Sequence, residues 1–410
     1  MTRTERTYYL LSGGYNLAQF FLAPLYPLFL LSRGLDLFQM NAVLATYMLT
    51  VFVLEVPTGA FADVAGRRRS FVLGCLLRAT AFALYTRTRG FGDCLRAELV
   101  DAIGTACVSG ALDAWAVDGM RAEGDRRPMD PVFARASVLT RVVMIAGSVA
   151  AGYLAEVDLA VPWLVAAGLF ALVALVGGAV MREDERPRGT TSVTRTAIAG
   201  LALVRGSPVL SLLCLLTLAG AFAALPAYML WQPRLRALGA GDFGALGWIV
   251  AAMHVAGLAG SALVPRVLRR VRREAVLAGT ALWRAAMFLP LATSTTLAPA
   301  VMGLVLQEIG FGLSDPVATG WVNEHVAAGQ RATVLSVRST FLTLGAATGL
   351  LALGLVARHD GAPAAFAISA VLLVLVAPGY VVLGRVARRG AAPAPVSLAQ
   401  PGHVRTGSAG

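Results

Sequence analysis

Eleven ionisable side chains stand in almost wholly apolar surroundings: Glu55, Arg78, Glu98, Asp101, Asp113, Arg141, His254, Arg284, Glu308, Asp315 and Arg338. Such groups are costly in hydrocarbon, so each must serve a function or be paired. Glu98 and Asp101 are three residues apart and share one face of a helix. Glu308 stands near the middle of another apolar run. These three carboxylates suit reversible proton binding or ion pairing with a solute; each could equally be the structural partner of an intramembrane arginine. Glu55, Asp113, Arg141, Asp315 and Arg338 read as gate or interhelix ion-pair residues rather than solute contacts. His254 reads as a packed, hydrogen-bonded residue rather than a proton relay.

Metal and nucleophilic chemistry find no footing. The four cysteines (Cys75, Cys94, Cys107, Cys214) are scattered, with neither metal-site nor disulfide spacing. The four histidines form no ligand pair, and no Gly-x-Ser-x-Gly turn or phosphate-binding loop occurs. No cofactor is expected, and an enzyme is disfavoured.

Helices long enough to cross a bilayer must position these groups. The chain is 57% hydrophobic with mean hydropathy +0.70, too apolar for a soluble globule. A spanning helix needs about 20 mostly apolar residues, which predicts twelve spans: 8–32, 38–63, 69–88, 91–118, 132–155, 159–181, 207–231, 243–265, 275–296, 298–322, 332–356 and 363–386. The first is too long for a signal-peptide core and is expected to stay in the protein. All 35 basic residues are arginine. With the N-terminus in the cytoplasm, far more of them fall in cytoplasmic segments than in outside ones. That bias is the positive-inside pattern. It accounts for the net charge of +12 without a nucleic-acid partner and places both termini in the cytoplasm.

The polar segment after Arg182 divides the spans six and six. Two bundles, 1–181 and 207–386, are expected around a cytoplasmic central loop, 182–206, in which Ala197–Val204 could lie on the membrane surface. A disordered cytoplasmic tail, 387–410, follows. The halves echo each other. Arg135 to Arg141 opens span five much as Arg331 to Arg338 opens span eleven. Arg68, Arg69, Gly74 and Arg78 are matched by Arg272, Arg273, Gly279 and Arg284, while Trp115 and Trp321 close spans four and ten. Parallel repeats put a binding site between the halves near mid-membrane.

Between spans two and three lie Gly59, Asp63, Gly66, Arg67 and Arg68. With the six-plus-six layout, this spacing resembles the signature loop of the major facilitator superfamily. The looser echo from Gly260 to Arg273 lacks the aspartate, and Val64 stands where the family often has a basic residue. The resemblance implies an all-α membrane protein of twelve transmembrane helices in two pseudo-symmetric six-helix bundles. It also implies that Asp63 meets the N-terminus of helix 11, where a helix dipole contributes about 0.3–2 kcal/mol. That contact would hold the outward-facing state and break when the cytoplasmic side opens.

In this superfamily helices 1, 4, 7 and 10 line the cavity, so Tyr15, Asn16, Gln19, Tyr228, Trp231 and Gln232 join the candidates. Pro24 and Pro27 resemble the paired prolines of drug-exporter members. Gly147 to Gly152 stands where antiporters often carry Gly-Pro-x-x-Gly-Gly, and lacks the proline and one glycine. The implied function is secondary transport by alternating access in a bacterial inner membrane, through a chain that works as a monomer. Proton-coupled efflux of a small amphipathic drug or metabolite leads, and import of a sugar, amino acid or organic acid by proton symport is the alternative. A transport-inactive receptor or scaffold is the reading from another class.

Overall fold

A computed structural model describes residues 1–182, 201–326 and 331–390; most of the expected central loop and tail lie outside the described residues. Among the described residues the chain is helical and contains no strand. The first half holds α1 (Arg3–Phe20), α2 (Tyr26–Ser32), α3 (Leu37–Ala65), α4 (Arg67–Tyr85), α5 (Phe91–Val108), α6 (Ala111–Ala122), α7 (Asp130–Ala155) and α8 (Val161–Val180). The second holds α9 (Pro208–Ala224), α10 (Ala227–Ala237), α11 (Phe243–Leu268), α12 (Arg273–Thr293), α13 (Leu297–His325) and α14 (Arg331–Gly390).

Among the described residues twelve spans follow once the breaks are read. Gly361, at φ 83°, divides α14 into two crossings. The pairs α1–α2, α5–α6 and α9–α10 each make one interrupted crossing. Spans one, four and seven, expected as continuous, are thus broken by turns at 21–25, 109–110 and 225–226. Two breaks contain Pro24 and Pro226, and proline has no N–H to continue the ladder. The third turns at Gly110, whose φ of 69° suits a residue without Cβ.

The halves repeat in their contacts as well as their order. Arg67 pairs with Asp118, and Arg273 with Glu324, each residue 206 positions after its counterpart. Deeper in, Arg78 bonds Asp101 and Arg284 bonds Gln307, again 206 positions apart. Gly104 and Gly310 give the two arginine stems room: a Cβ there would lie 2.8 and 2.9 Å from Arg78 Cγ and Arg284 Cγ.

The halves meet along α3 with α14, α7 with α11 and α2 with α10. A Cβ on Gly152 would lie 2.6 Å from Phe243 O, and one on Gly247 2.5 Å from Ser148 O. The Gly147–Gly152 segment is therefore a close-packing seam between the halves. A Cβ on Gly354 would come within 2.8 Å of Asn41 Cβ. All these contacts lie toward the face opposite the N-terminus, here the far face.

Candidate functional site

A cavity of about 680 Å³ opens between the halves, of a size for one small organic solute. Broken crossings supply much of its wall: Gln19 from α1, Tyr26 from α2, Glu98 and Asp101 from α5, Leu225 beside Pro226, and Tyr228 and Gln232 from α10. From other helices come Arg78, Tyr85, Arg141, Trp163, His254, Glu308 and Asp315.

Arg78 is held on four acceptors. Its Nε and Nη2 donate to the Asp101 carboxylate at 2.8 and 3.2 Å, and Nη1 donates to Tyr15 Oη at 2.6 Å and Gln19 Oε1 at 3.1 Å. Its guanidinium carbon lies 4.5 Å from the centre of the Phe170 ring. Asp101 is therefore the partner of an intramembrane arginine, one of the two roles open to it. Tyr15 bonds this arginine but does not line the cavity. Asn16 is likewise off the wall, its amide donating to Ser12 O at 2.8 Å.

Glu98 is 4% exposed and accepts from the Tyr85 hydroxyl. Tyr26 Oη lies 3.5 Å from Tyr85 Oη, and the Tyr85 ring stacks on Trp163 at 4.1 Å between centroids. Across the cavity, Glu308 accepts from Tyr228 Oη at 2.8 Å and from the Gln307 amide. Arg284 donates to Gln307 and not to Glu308. Among the described residues neither Glu98 nor Glu308 has a cationic side chain within ion-pair distance.

Three wall residues keep a buried polar atom with no hydrogen-bond partner: Trp163 Nε1, Gln232 Oε1 and His254 Nε2. Gln232 spends its amide on Ala23 O, at 3.1 Å in the other half. Tyr26, Tyr85 and Trp163 were not anticipated. Aromatics near span ends also serve as interface anchors, so type and position alone did not single them out. Gln307 was within reach, since extending the Arg78–Arg284 echo aligns it with Asp101.

The remaining candidates lie nearer the terminal face. Asp315 and Arg338 pair at 3.5 Å. Asp113 accepts from Tyr8 Oη at 2.8 Å and forms no ion pair among the described residues. Glu55 and Asp63 are exposed. In the signature loop Gly66 has φ 103°, Arg67 reaches Ala114 O and Asp118, and Arg68 reaches Gly178 O. Among the described residues Asp63 forms no hydrogen bond or ion pair, and residues 327–330, just before helix 11, lie outside them. Gly59 makes no close approach either, with open space where its Cβ would stand.

The sequence matches the profile of the Major Facilitator Superfamily over residues 9–270 and 237–406. The chain belongs to this superfamily. A relative of this superfamily member in Bacillus subtilis (strain 168), the uncharacterized MFS-type transporter YxaM, is 23% identical over 379 residues, 90% of this chain and 93% of the relative. A mutant of the nucleoside transporter NupG superposes with TM-score 0.80 at 12% identity, covering 93% of this chain and 99% of that one. A bacterial homologue of the human lysosomal transporter Spinster, in an inward-facing and unoccupied conformation, gives TM-score 0.74 at 14% identity over 96% and 98% of the two chains. At such identities the superposition speaks for the fold alone. The superfamily member is a multi-pass membrane transporter of a small-molecule substrate.

Proposed function

We propose that the protein is a proton-coupled exporter of a small amphipathic molecule, working by alternating access with its termini in the cytoplasm. The observation that carries the alternating-access reading is the asymmetry of contacts around the cavity. On the far face the halves are joined by Asp36–Arg358 at 3.4 Å, by Glu156 Oε1 accepting from the Phe243 and Gly244 amides, and by Gln232 on Ala23. On the terminal face every ion pair among the described residues lies within one half, among them Arg67–Asp118, Glu5–Arg127, Arg338–Asp315, Arg273–Glu324 and Arg388–Glu274. The cavity is thus shut from one side and unlatched on the other. With the arginine bias of the terminal face, this supports a cytoplasm-open state.

Proton coupling rests on Glu98 and Glu308, two cavity carboxylates with no cationic partner among the described residues. A carboxylate so placed needs a proton or an external cation. The unengaged Asp63 fits a switch that closes only when the terminal face closes.

Flux into proteoliposomes under an imposed pH gradient tests the proposal. Glu98→Gln and Glu308→Gln should each uncouple flux from the gradient; gradient-independent flux in the wild type, unchanged in both variants, would remove proton coupling. The alternative, proton symport of an organic acid, is favoured by Arg141, a cavity arginine with no carboxylate partner among the described residues. Direction decides: energised cells accumulate the solute in symport and resist it in export.

A further inference from the structure

The cavity wall is chemically lopsided, and the recess around Glu98 is its most specialised part. Of the four carboxylates on the wall, Asp101 is matched by Arg78 and Asp315 by Arg338. Glu98 instead accepts from the Tyr85 hydroxyl, at the edge of an aromatic cluster. Trp163 lies 4.1 Å from the Tyr85 ring, 5.9 Å from Tyr26 and 5.3 Å from Phe82, centroid to centroid. A carboxylate beside aromatic faces is complementary to an organic cation, through charge-assisted hydrogen bonding and cation–π attraction together. A second, independent observation points the same way. Trp163 is 1% exposed, and its Nε1–H donor has no partner although the residue lines the cavity. A buried donor left empty is costly, and a ligand carrying an acceptor near its cationic centre would engage it.

We infer that the recess formed by Glu98, Tyr26, Tyr85 and Trp163 is the subsite for the protonated amine of an amphipathic organic amine, the substrate class of this transporter. The inference rests on the transporter reading of the cavity given above. The charged groups facing Glu98 are Arg78 and Asp101, which largely cancel each other. Tyr26 and Tyr85 bear on it as neutral hydroxyls. The substrate ammonium would then be the positive partner that Glu98 lacks, and a proton arriving at Glu98 would compete with it.

Three matched probes separate charge from shape: tryptamine, tryptophol and indole-3-acetate share one ring system and carry an ammonium, a hydroxyl and a carboxylate. Binding to the purified full-length protein in detergent is measured by calorimetry. The expected order is tryptamine tightest, by about tenfold or more over tryptophol, with indole-3-acetate weakest. Glu98→Gln should bring tryptamine down to the level of tryptophol and leave tryptophol unchanged. Trp163→Phe should keep the charge order.

Equal binding of the three, tighter binding of the acid, no measurable tryptamine binding, or tryptamine binding unchanged in Glu98→Gln each overturns the inference. The order in the wild type needs no variant, so a Glu98→Gln protein that fails to fold does not rescue the idea. The transporter reading fails separately: proteoliposome flux of a neutral or acidic solute, insensitive to Glu98→Gln, removes the amine subsite and leaves transport standing. Absence of flux for every solute removes the transport reading.

Discussion

Arg78 and Asp101 are 2% and 5% exposed and bonded through two guanidinium nitrogens. Removing one partner of such a pair strands the other charge, at a cost of about 3–5 kcal/mol, whereas replacing both with apolar residues is much milder. Asp101→Ala should therefore unfold at a clearly lower temperature in detergent, and Arg78→Met with Asp101→Leu should recover most of the loss. If Asp101→Ala melts like the wild type, the pair is not structural. A different network lies outside the spans. Burial pushes the Glu5 carboxyl up, but the Tyr9 hydroxyl and the Arg127 guanidinium outweigh it and hold Glu5 below the usual carboxylate range. Hydrogen bonds from Arg127 hold the half-buried Asp125 down at about 2. Both folded values are depressed, so their stabilisation is complete above the unfolded range near 4 and is lost as pH falls through the folded values. Thermal stability of the wild type should fall between about pH 4 and 2, and Arg127→Ala should flatten that dependence. An unaltered pH profile in Arg127→Ala would show that the network contributes nothing.

The signature loop works as an element. Gly66 has a φ of 103°, so Gly66→Ala strains it, costing about 1–2 kcal/mol. Gly59 has open space beside it. Gly59→Leu should therefore leave this conformation intact and obstruct closure of the terminal face, where α3 must approach α14. Disulfide trapping between cysteines placed on those helices should report less of the closed state. Equal trapping in both proteins would mean that Gly59 is not at a closing seam. At this scale the sequence was informative about spacing and silent about state. Gly59, Asp63 and Gly66 mark the turn between two helices by type and interval, but no local pattern says what the surfaces beside it touch. The breaks in spans one and seven were signalled by Pro24 and Pro226; the break at Gly110 was not, because one glycine in an apolar run is common in membrane helices.

For the molecule as a whole, the far-face contacts latch this conformation. Glu156 accepts from amides at the start of α11, where the helix dipole favours a carboxylate, and Asp36 meets Arg358. Asp36→Asn with Glu156→Gln should shift the population toward a far-open state, read as a longer distance between spin labels at positions 158 and 241. A distance distribution like that of the parent would show that closure rests on the Gly152–Gly247 packing alone. Composition and repetition by themselves determined that twelve helices cross a bilayer in two related halves, because hydrocarbon admits only internally hydrogen-bonded segments of fixed length. The duplicated arginines fixed the register of one half against the other. Only the tertiary structure decided which intramembrane charges satisfy each other. Asp101 and Glu98 share a helix face and differ by one turn; Asp101 falls within reach of Arg78 while Glu98 falls among aromatic rings. Pairing depends on ångström distances between helices remote in sequence, and those are set by packing, which the order of residues along one helix does not encode.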